Sequence, residues 1–436
     1  MKGFGDKNQS KYFRESKLKL NLNEDKILNT ALKYHAKGDF AEALKYYQYY
    51  IDLGFNNHIV FSNYGVILKD LSKFKEAEVF LRKAIELNPK YAIAYSNLAG
   101  ILISLGRLEE AEVFLRKAIE LNPNNSISHS NLGGILGDLG KLEEAAMSLL
   151  KAIELNPNYT KSYLSLGIIL RDLGRLEEAI IYHRKAIELN PDLHEAYIEL
   201  GIDLYILGKQ NLAIKSLLKA NSLDSKNLTN QILLKIFQNE QKNKAKDNQK
   251  TDYKSISNPK NSKSNILIFN IPVPEKLVDS LYKMKTREQD IYQFPTYGDS
   301  KGSDYKLFEN NDINIKMIKK KLMKVLKRSL NSEIFISESF FTIFRSGGGL
   351  ISHDHLSKID KIRGLNIAHK KFSLVYYLSV GDQNCQKPGI LKLENPNQEI
   401  LPKNGLVIIF PAERKHSVMY QGNKDRIIIG VNFYRI

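Results

Sequence analysis

"RLEEAEVFLRKAIELNPNNSISHSNLGGILGDLG", residues 107–140, decides the fold of the first half of the chain, because it returns at a step of 34 residues. The hexapeptide AIELNP stands at 84–89, 118–123, 152–157 and 186–191. A small residue keeps the same phase at Ala31, Gly65, Ala99, Gly133, Gly167 and Gly201, and an alanine at Ala43, Ala77, Ala111, Ala145, Ala179 and Ala213. Turn residues fall between the two series at Gly38, Ser72, Gly106, Gly140, Gly174 and Gly208. Each unit therefore predicts two short amphipathic helices, such as "AYSNLAGILISLG" followed by "RLEEAEVFLRKAIELNP". Small residues where the helices cross let the backbones approach. Glycine ends the first helix, and Asn-Pro ends the second, because the residue before proline avoids helical angles. One pair cannot bury its apolar face alone, so the units must stack.

This pattern resembles the tetratricopeptide repeat (TPR) family over about six units, residues 24–227. The resemblance implies an all-α solenoid whose first helices line a concave face for a protein or peptide partner. At one position of the first helix the units read Asn63, Asn97, Asn131, Ser165 and Glu199. A row of asparagines can hydrogen-bond an extended peptide backbone without reading its side chains. Similar ladders occur in the TPR superhelix of O-GlcNAc transferases, which "NLGGILGDLGKLEEA" resembles. The plainer reading is that asparagine is a common polar choice at an exposed consensus position.

At 436 residues the chain has room for more than one domain. Residues 1–23 read as a polar, basic tail without the apolar core of a signal peptide. No apolar run approaches the ~20 residues that cross a bilayer. Cys385 is the one cysteine, so a disulfide within the chain and a thiolate metal site are excluded, and the reducing cytoplasm fits best. The net charge of +17 lies mostly in lysine-rich connections and one helix. We read it as solvated surface rather than as a nucleic-acid patch, which would interleave arginine with aromatics.

The period fails after Leu223, and residues 228–264 read as a flexible linker: "QNEQKNKAKDNQKTDYKSISNPKNSKSN" (238–265) has too few large apolar residues to offset its ordering entropy. Residues 265–436 change character. "INIKMIKKKLMKVLKRSL" (313–330) predicts a helix with Ile315, Ile318, Leu322, Val325 and Ser329 on one face, packed on a sheet rather than on a membrane. Short strand-like runs follow, among them "SFFTIFRS", "FSLVYYLSV", "GLVIIFPA" and "RIIIGVNFYRI", which predicts an antiparallel sandwich or barrel.

Within "GGLISHDHLSKID" (348–360), His353 and His355 stand two residues apart, a spacing that puts both on one side of a strand. His416 begins a later strand, and Arg426 follows ten residues on. This order resembles the Fe(II)/2-oxoglutarate-dependent oxygenases, in particular the prolyl-hydroxylase-like group, over roughly residues 335–436. The resemblance implies a double-stranded β-helix, or jelly roll, with His353, His355 and His416 around Fe(II) and Arg426 pairing with the far carboxylate of 2-oxoglutarate. It implies a hydroxylase that uses O2 and 2-oxoglutarate as co-substrates, acting on a target delivered by the repeats. The family's first motif is His-x-Asp, and here the second member is His355. Three readings stay open: a three-histidine site, Asp360 turning in as the carboxylate, or His355 lying behind the metal ligands. Tyr376 or Tyr377 is the candidate hydroxyl beside the 2-oxoglutarate carboxylate, since Ile428 stands where the family often has Ser or Thr.

Two further readings come from other classes. Gly347, His353, His355 and Asp360 resemble the first motif of cupins, which hold a metal without 2-oxoglutarate. Alternatively the β segment is chemically silent, and the chain is a TPR scaffold for protein–protein interaction.

Overall fold

The computed structural model describes residues 24–247, 266–284, 300–344 and 349–436. The tail 1–23, the part 248–264 of the expected linker, and Gly347 of the cupin-like motif lie outside the described residues. The chain divides into two compact units, one ending at Asp192 and one running from Leu193 to Ile436.

The first unit is built of helix pairs. α1 (24–36) and α2 (Phe40–Asp52) are followed by α3 (His58–Asp70) with α4 (Phe74–Leu87) and α5 (Ala92–Ser104) with α6 (Leu108–Leu121). Next come α7 (Ser126–Asp138) with α8 (Leu142–Leu155) and α9 (Thr160–Asp172) with α10 (Leu176–Leu189). The crossings need the small residues the sequence places there. A Cβ on Gly133 would meet Leu149 Cγ at 2.5 Å and the Ala145 carbonyl at 3.0 Å. The leucines at this crossing, Leu81, Leu115 and Leu149, are fully buried, and each contributes about 1.5–3 kcal/mol through burial. α5 ends in a left-handed residue, Gly106 at φ 74°, with Gly106 N–H bonded to Ile103 O and Arg107 N–H to Leu102 O. That bond pair closes the helix and satisfies its last carbonyls. Asn88, Asn122 and Asn156 end the second helices in extended conformations, as the following prolines require.

The second unit opens with α11 (His194–Ile206), α12 (Gln210–Leu223) and α13 (Leu228–Asp247). The expected linker from 228 is thus helical as far as Asp247. Ile232, Leu233, Ile236 and Phe237 are buried, and Phe237 stacks on Tyr205 with ring centroids 3.7 Å apart. A helix at least three turns long with four buried apolar residues overrides the polar composition of its far end. α13 also meets the β-rich segment, with Lys235 lying over the Phe335 ring and Glu240 pairing with Lys370 at 3.1 Å. The boundary between units therefore falls inside the repeat array rather than in a linker.

The rest of this unit holds β1 (Leu267–Asn270), α14 (Leu277–Lys283), β2 (Ser300–Gly302), α15 (Ile313–Leu330), β3 (Ile334–Phe344) and β4 (Gly349–His353). Then follow β5 (Lys371–Ser379), β6 (Leu391–Leu393), β7 (Gln398–Ile400), β8 (Leu406–Pro411), β9 (His416–Met419) and β10 (Arg426–Arg435). Two antiparallel sheets form, six strands in the order β1-β8-β5-β10-β3-β2 and four in the order β4-β9-β6-β7. Residues of β8, β5 and β10 alternate between two cores. Val407, Ile409, Tyr376, Ile427 and Ile429 join α14 and α15, whereas Ile408, Phe410, Tyr377 and Ile428 meet Leu391, Leu393 and Leu350 of the smaller sheet. Burial on both faces explains why these strands read as continuous apolar runs. α15 packs on the six-stranded sheet as expected, but its buried stripe runs Ile315, Ile318, Leu322, Leu326 and Leu330; Val325 is half-buried and Ser329 exposed. No helix among the described residues is long and apolar enough to cross a membrane.

Candidate metal centre

The three histidines singled out in the sequence converge. β4 and β9 are antiparallel neighbours, and their register sets His353 directly opposite His416. Such facing residues project to the same side of the sheet, so residues 63 apart in sequence become ring neighbours with centroids 4.3 Å apart. His355 lies beyond the end of β4, and its backbone N–H bonds to the carbonyl of Ala412, between β8 and β9, at 2.9 Å. Its ring stands 4.8 Å from His416 and 5.0 Å from His353. One nitrogen from each ring can be chosen so that all three lie within 4.8 Å of one another.

The electrostatics suit a cation. Burial first, then repulsion from the neighbouring rings, pushes His416 down to about 2; burial, His353 and Lys371 push His355 down to about 3. Neutral imidazole is the form that donates to metals. His416 Nδ1 is buried with no hydrogen-bond partner, and the Phe410 ring closes one side 5.0 Å away. His353 and His416 each offer a ring nitrogen within reach of a shared ion. His355 fits by position, but its Nδ1 faces an amide N–H of Asn432 at 3.3 Å, whereas metal-bound histidines usually donate that proton to an acceptor.

Asp360 does not join them. Its carboxylate accepts from Ser357 N–H at 2.8 Å, Ser357 Oγ at 2.6 Å, Lys371 Nζ at 2.9 Å and Tyr434 Oη at 2.7 Å. Lys371 is as deeply buried as Asp360, so turning the carboxylate toward the histidines would strand an ammonium in the core. The reserve-ligand reading is corrected on that ground. Asp354 is also engaged, accepting from Leu356 N–H and lying 3.5 Å from Lys361.

Arg426 opens β10 and is buried, 1% exposed. Its Nη1 donates to the carbonyls of Gly389 and Pro388, and its guanidinium lies over the rings of Tyr377 at 5.1 Å and Tyr420 at 5.9 Å. Nε has no partner, and among the described residues the guanidinium's side-chain partner is the Tyr377 hydroxyl rather than a carboxylate. Burial pulls its pKa below the ordinary value. Gly389 makes the bed: a Cβ there would stand 1.4 Å from Nη1. Of the two candidate tyrosines, Tyr377 lies beside Arg426. Tyr376 does not, because the pleat turns it to the other face, where its hydroxyl bonds to the carbonyls of Ile271 and Pro272.

In the first unit, Asn63, Asn97, Asn131 and Ser165 recur at one position of α3, α5, α7 and α9, all half-buried. Asn63 Nδ2 donates to Tyr47 Oη at 3.1 Å and Asn97 Nδ2 to Ser62 Oγ at 3.4 Å. Sequence reasoning missed Lys371, Gly389 and Asn432. Two of them carried a signal, a lysine and an asparagine at the start and within otherwise apolar strands.

Family models of the tetratricopeptide repeat match residues 68–132, 128–159 and 160–193. The chain carries TPR repeats. Solved TPR structures are similar to it over that part. One is YrrB, described as a TPR protein with an unusual peptide-binding site; it is 24% identical with a TM-score of 0.37, over 43% of this chain and 97% of that one. Others are MamA (23%, TM-score 0.35, 37% and 95% covered) and pilF of Pseudomonas aeruginosa (23%, TM-score 0.39, 44% and 89% covered). No curated protein matches the chain.

Proposed function

We propose that the chain captures a protein or extended peptide on its TPR repeats. The observation that carries this reading is the unbroken run of TPR family matches from 68 to 193. Asn63, Asn97, Asn131 and Ser165 are its contact candidates, with amide oxygens free of the bonds that occupy the Asn63 and Asn97 nitrogens. An array of extended peptides probed with the protein finds binders. Replacing Asn97 and Asn131 together by Ala weakens them roughly 10-fold or more, on the scale of two lost hydrogen bonds at about 1 kcal/mol each. Unchanged binding would move the peptide to another face.

A second reading adds chemistry, and it is supported by three convergent histidines and by a buried arginine without a counter-charge among the described residues. In it the β-rich part is a jelly roll. His353 and His416, with His355 beside them, hold Fe(II), and Arg426 takes the far carboxylate of 2-oxoglutarate. Iron with 2-oxoglutarate and O2 supplies C–H hydroxylation in the family this segment resembles. This chain's own residues do the rest. Arg426 orients the co-substrate through its unbonded Nε edge, Tyr377 and Tyr420 keep water from the guanidinium, and Phe410 packs against the His416 ring. An anaerobic titration with Fe(II) and then 2-oxoglutarate tests it. A visible charge-transfer band, lost in His416→Ala and weakened in Arg426→Ala, is expected. Metal binding without the band would favour a cupin-like site, and no metal would leave a TPR scaffold.

A further inference from the structure

Asn432 lies in the middle of β10, 2% exposed, in a run that is otherwise apolar. The register sets it between two polar neighbours, Glu338 on β3 and Ser373 on β5. Both are bonded to it. Asn432 Nδ2 donates to Glu338 Oε2 at 2.6 Å, and Ser373 Oγ donates to Asn432 Oδ1 at 2.7 Å. A carboxylate only accepts, so the amide cannot turn over without setting its oxygen against the oxygen of Glu338. One Nδ2 hydrogen goes to Glu338. The other points at His355 Nδ1, 3.3 Å away.

An imidazole nitrogen facing a fixed N–H must offer a lone pair. We propose that Asn432, locked between Glu338 and Ser373, holds His355 as the tautomer with its proton on Nε2. His355 is then a hydrogen-bond donor into the histidine cluster, and His353 and His416 are the protein ligands of any metal there. Ligation through His355 Nε2 would need its proton moved to Nδ1, which the Asn432 N–H opposes. Of the three readings the sequence leaves open for His355, this selects the one that places it behind the ligands. Asn432 is a positioning residue acting through His355. The statement about metal ligation rests on the metal-site reading; the tautomer does not.

The test is long-range proton–nitrogen NMR of the metal-free, 15N-labelled full chain, with His355 assigned by its loss in His355→Gln. A bare Nδ1 and a protonated Nε2 are expected, and a protonated Nδ1 would overturn the proposal. In Asn432→Asp the new carboxylate accepts from Nδ1, so the proton moves there. Should repulsion from Glu338 unfold that variant, Asn432→Leu removes the donor, and the ring becomes a mixture of tautomers. An unchanged tautomer in a folded variant would overturn the role of Asn432. Titration with Zn(II) supplies a second readout. Asn432→Asp binds Zn(II) about 10-fold or more tighter than wild type, on the scale of outer-shell carboxylate effects. Equal Zn(II) affinity in the two proteins would overturn the control of ligation by Asn432. Absence of Zn(II) binding from both would overturn the metal-site reading and the ligation statement, with the NMR result deciding the tautomer.

Discussion

Asp360→Asn lowers the unfolding free energy of the unit from Leu193 to Ile436 by about 3–5 kcal/mol, the cost of leaving one member of a buried ion pair alone. The substitution keeps the shape of the side chain. However, it sets an amide opposite the ammonium of Lys371, which is 2% exposed and has its short carboxylate contact at 2.9 Å. It also replaces one of the two carboxylate oxygens, of which one accepts from Ser357 and the other from Tyr434, the group that ties this segment to β10. Domains are commonly stable by about 5–15 kcal/mol, so the loss is a large share. It is read as a fall in the urea midpoint of the full chain. Removing Lys371 in the same molecule, by Lys371→Met, recovers part of it, since no unpaired charge remains. A loss below about 1 kcal/mol from Asp360→Asn would mean that water reaches the pair.

Acid is the second large effect. His355 and His416 titrate in the folded protein at about 3 and about 2, against an ordinary value of 6.5. These values are depressed, so below pH 6.5 the unfolded chain binds more protons than the folded one. Stability is therefore complete above about pH 6.5 and is lost as pH falls toward the folded values. The slope is about 1.4 kcal/mol per pH unit for each ring, so two rings remove nearly 3 kcal/mol per unit. Urea midpoints of the metal-free protein at pH 7, 6 and 5 measure it, with His355→Gln as the control that roughly halves the slope. Equal midpoints at pH 7 and 5 would show that the rings protonate in place.

The repeats were legible because their signal is local and multiplied. A glycine at 133 and a leucine at 149 interlock within one 34-residue unit, and the same lock returns along the array. The linker was misread for the converse reason. Composition averages over a window, while α13 is held by four buried side chains near its start. Histidine convergence was visible as spacing and order, although its cause, the cross-strand pairing of His353 with His416, was not. The fate of Asp360 could not be read, because its partner Lys371 looks in sequence like one more solvated lysine. The choice between Tyr376 and Tyr377 turned on strand phase, which the sequence leaves open when both faces of a sheet are apolar.

The pairing of β10 has a bearing on the order in which the molecule becomes competent. Arg426, Asn432 and Tyr434 all lie on this strand, and its partners β3 and β5 are some 94 and 59 residues away by the bonds of Asn432. Neighbouring helices in the first unit close much shorter loops, as Asn63 does with Tyr47 across 16 residues. Loop-closure entropy makes the short pairings fast and the long ones slow. The repeats accordingly reach a capture-ready state while the arginine and the histidine cluster are still unassembled. On this ordering the capture proposed for the repeats becomes possible before the proposed chemistry at the histidines does.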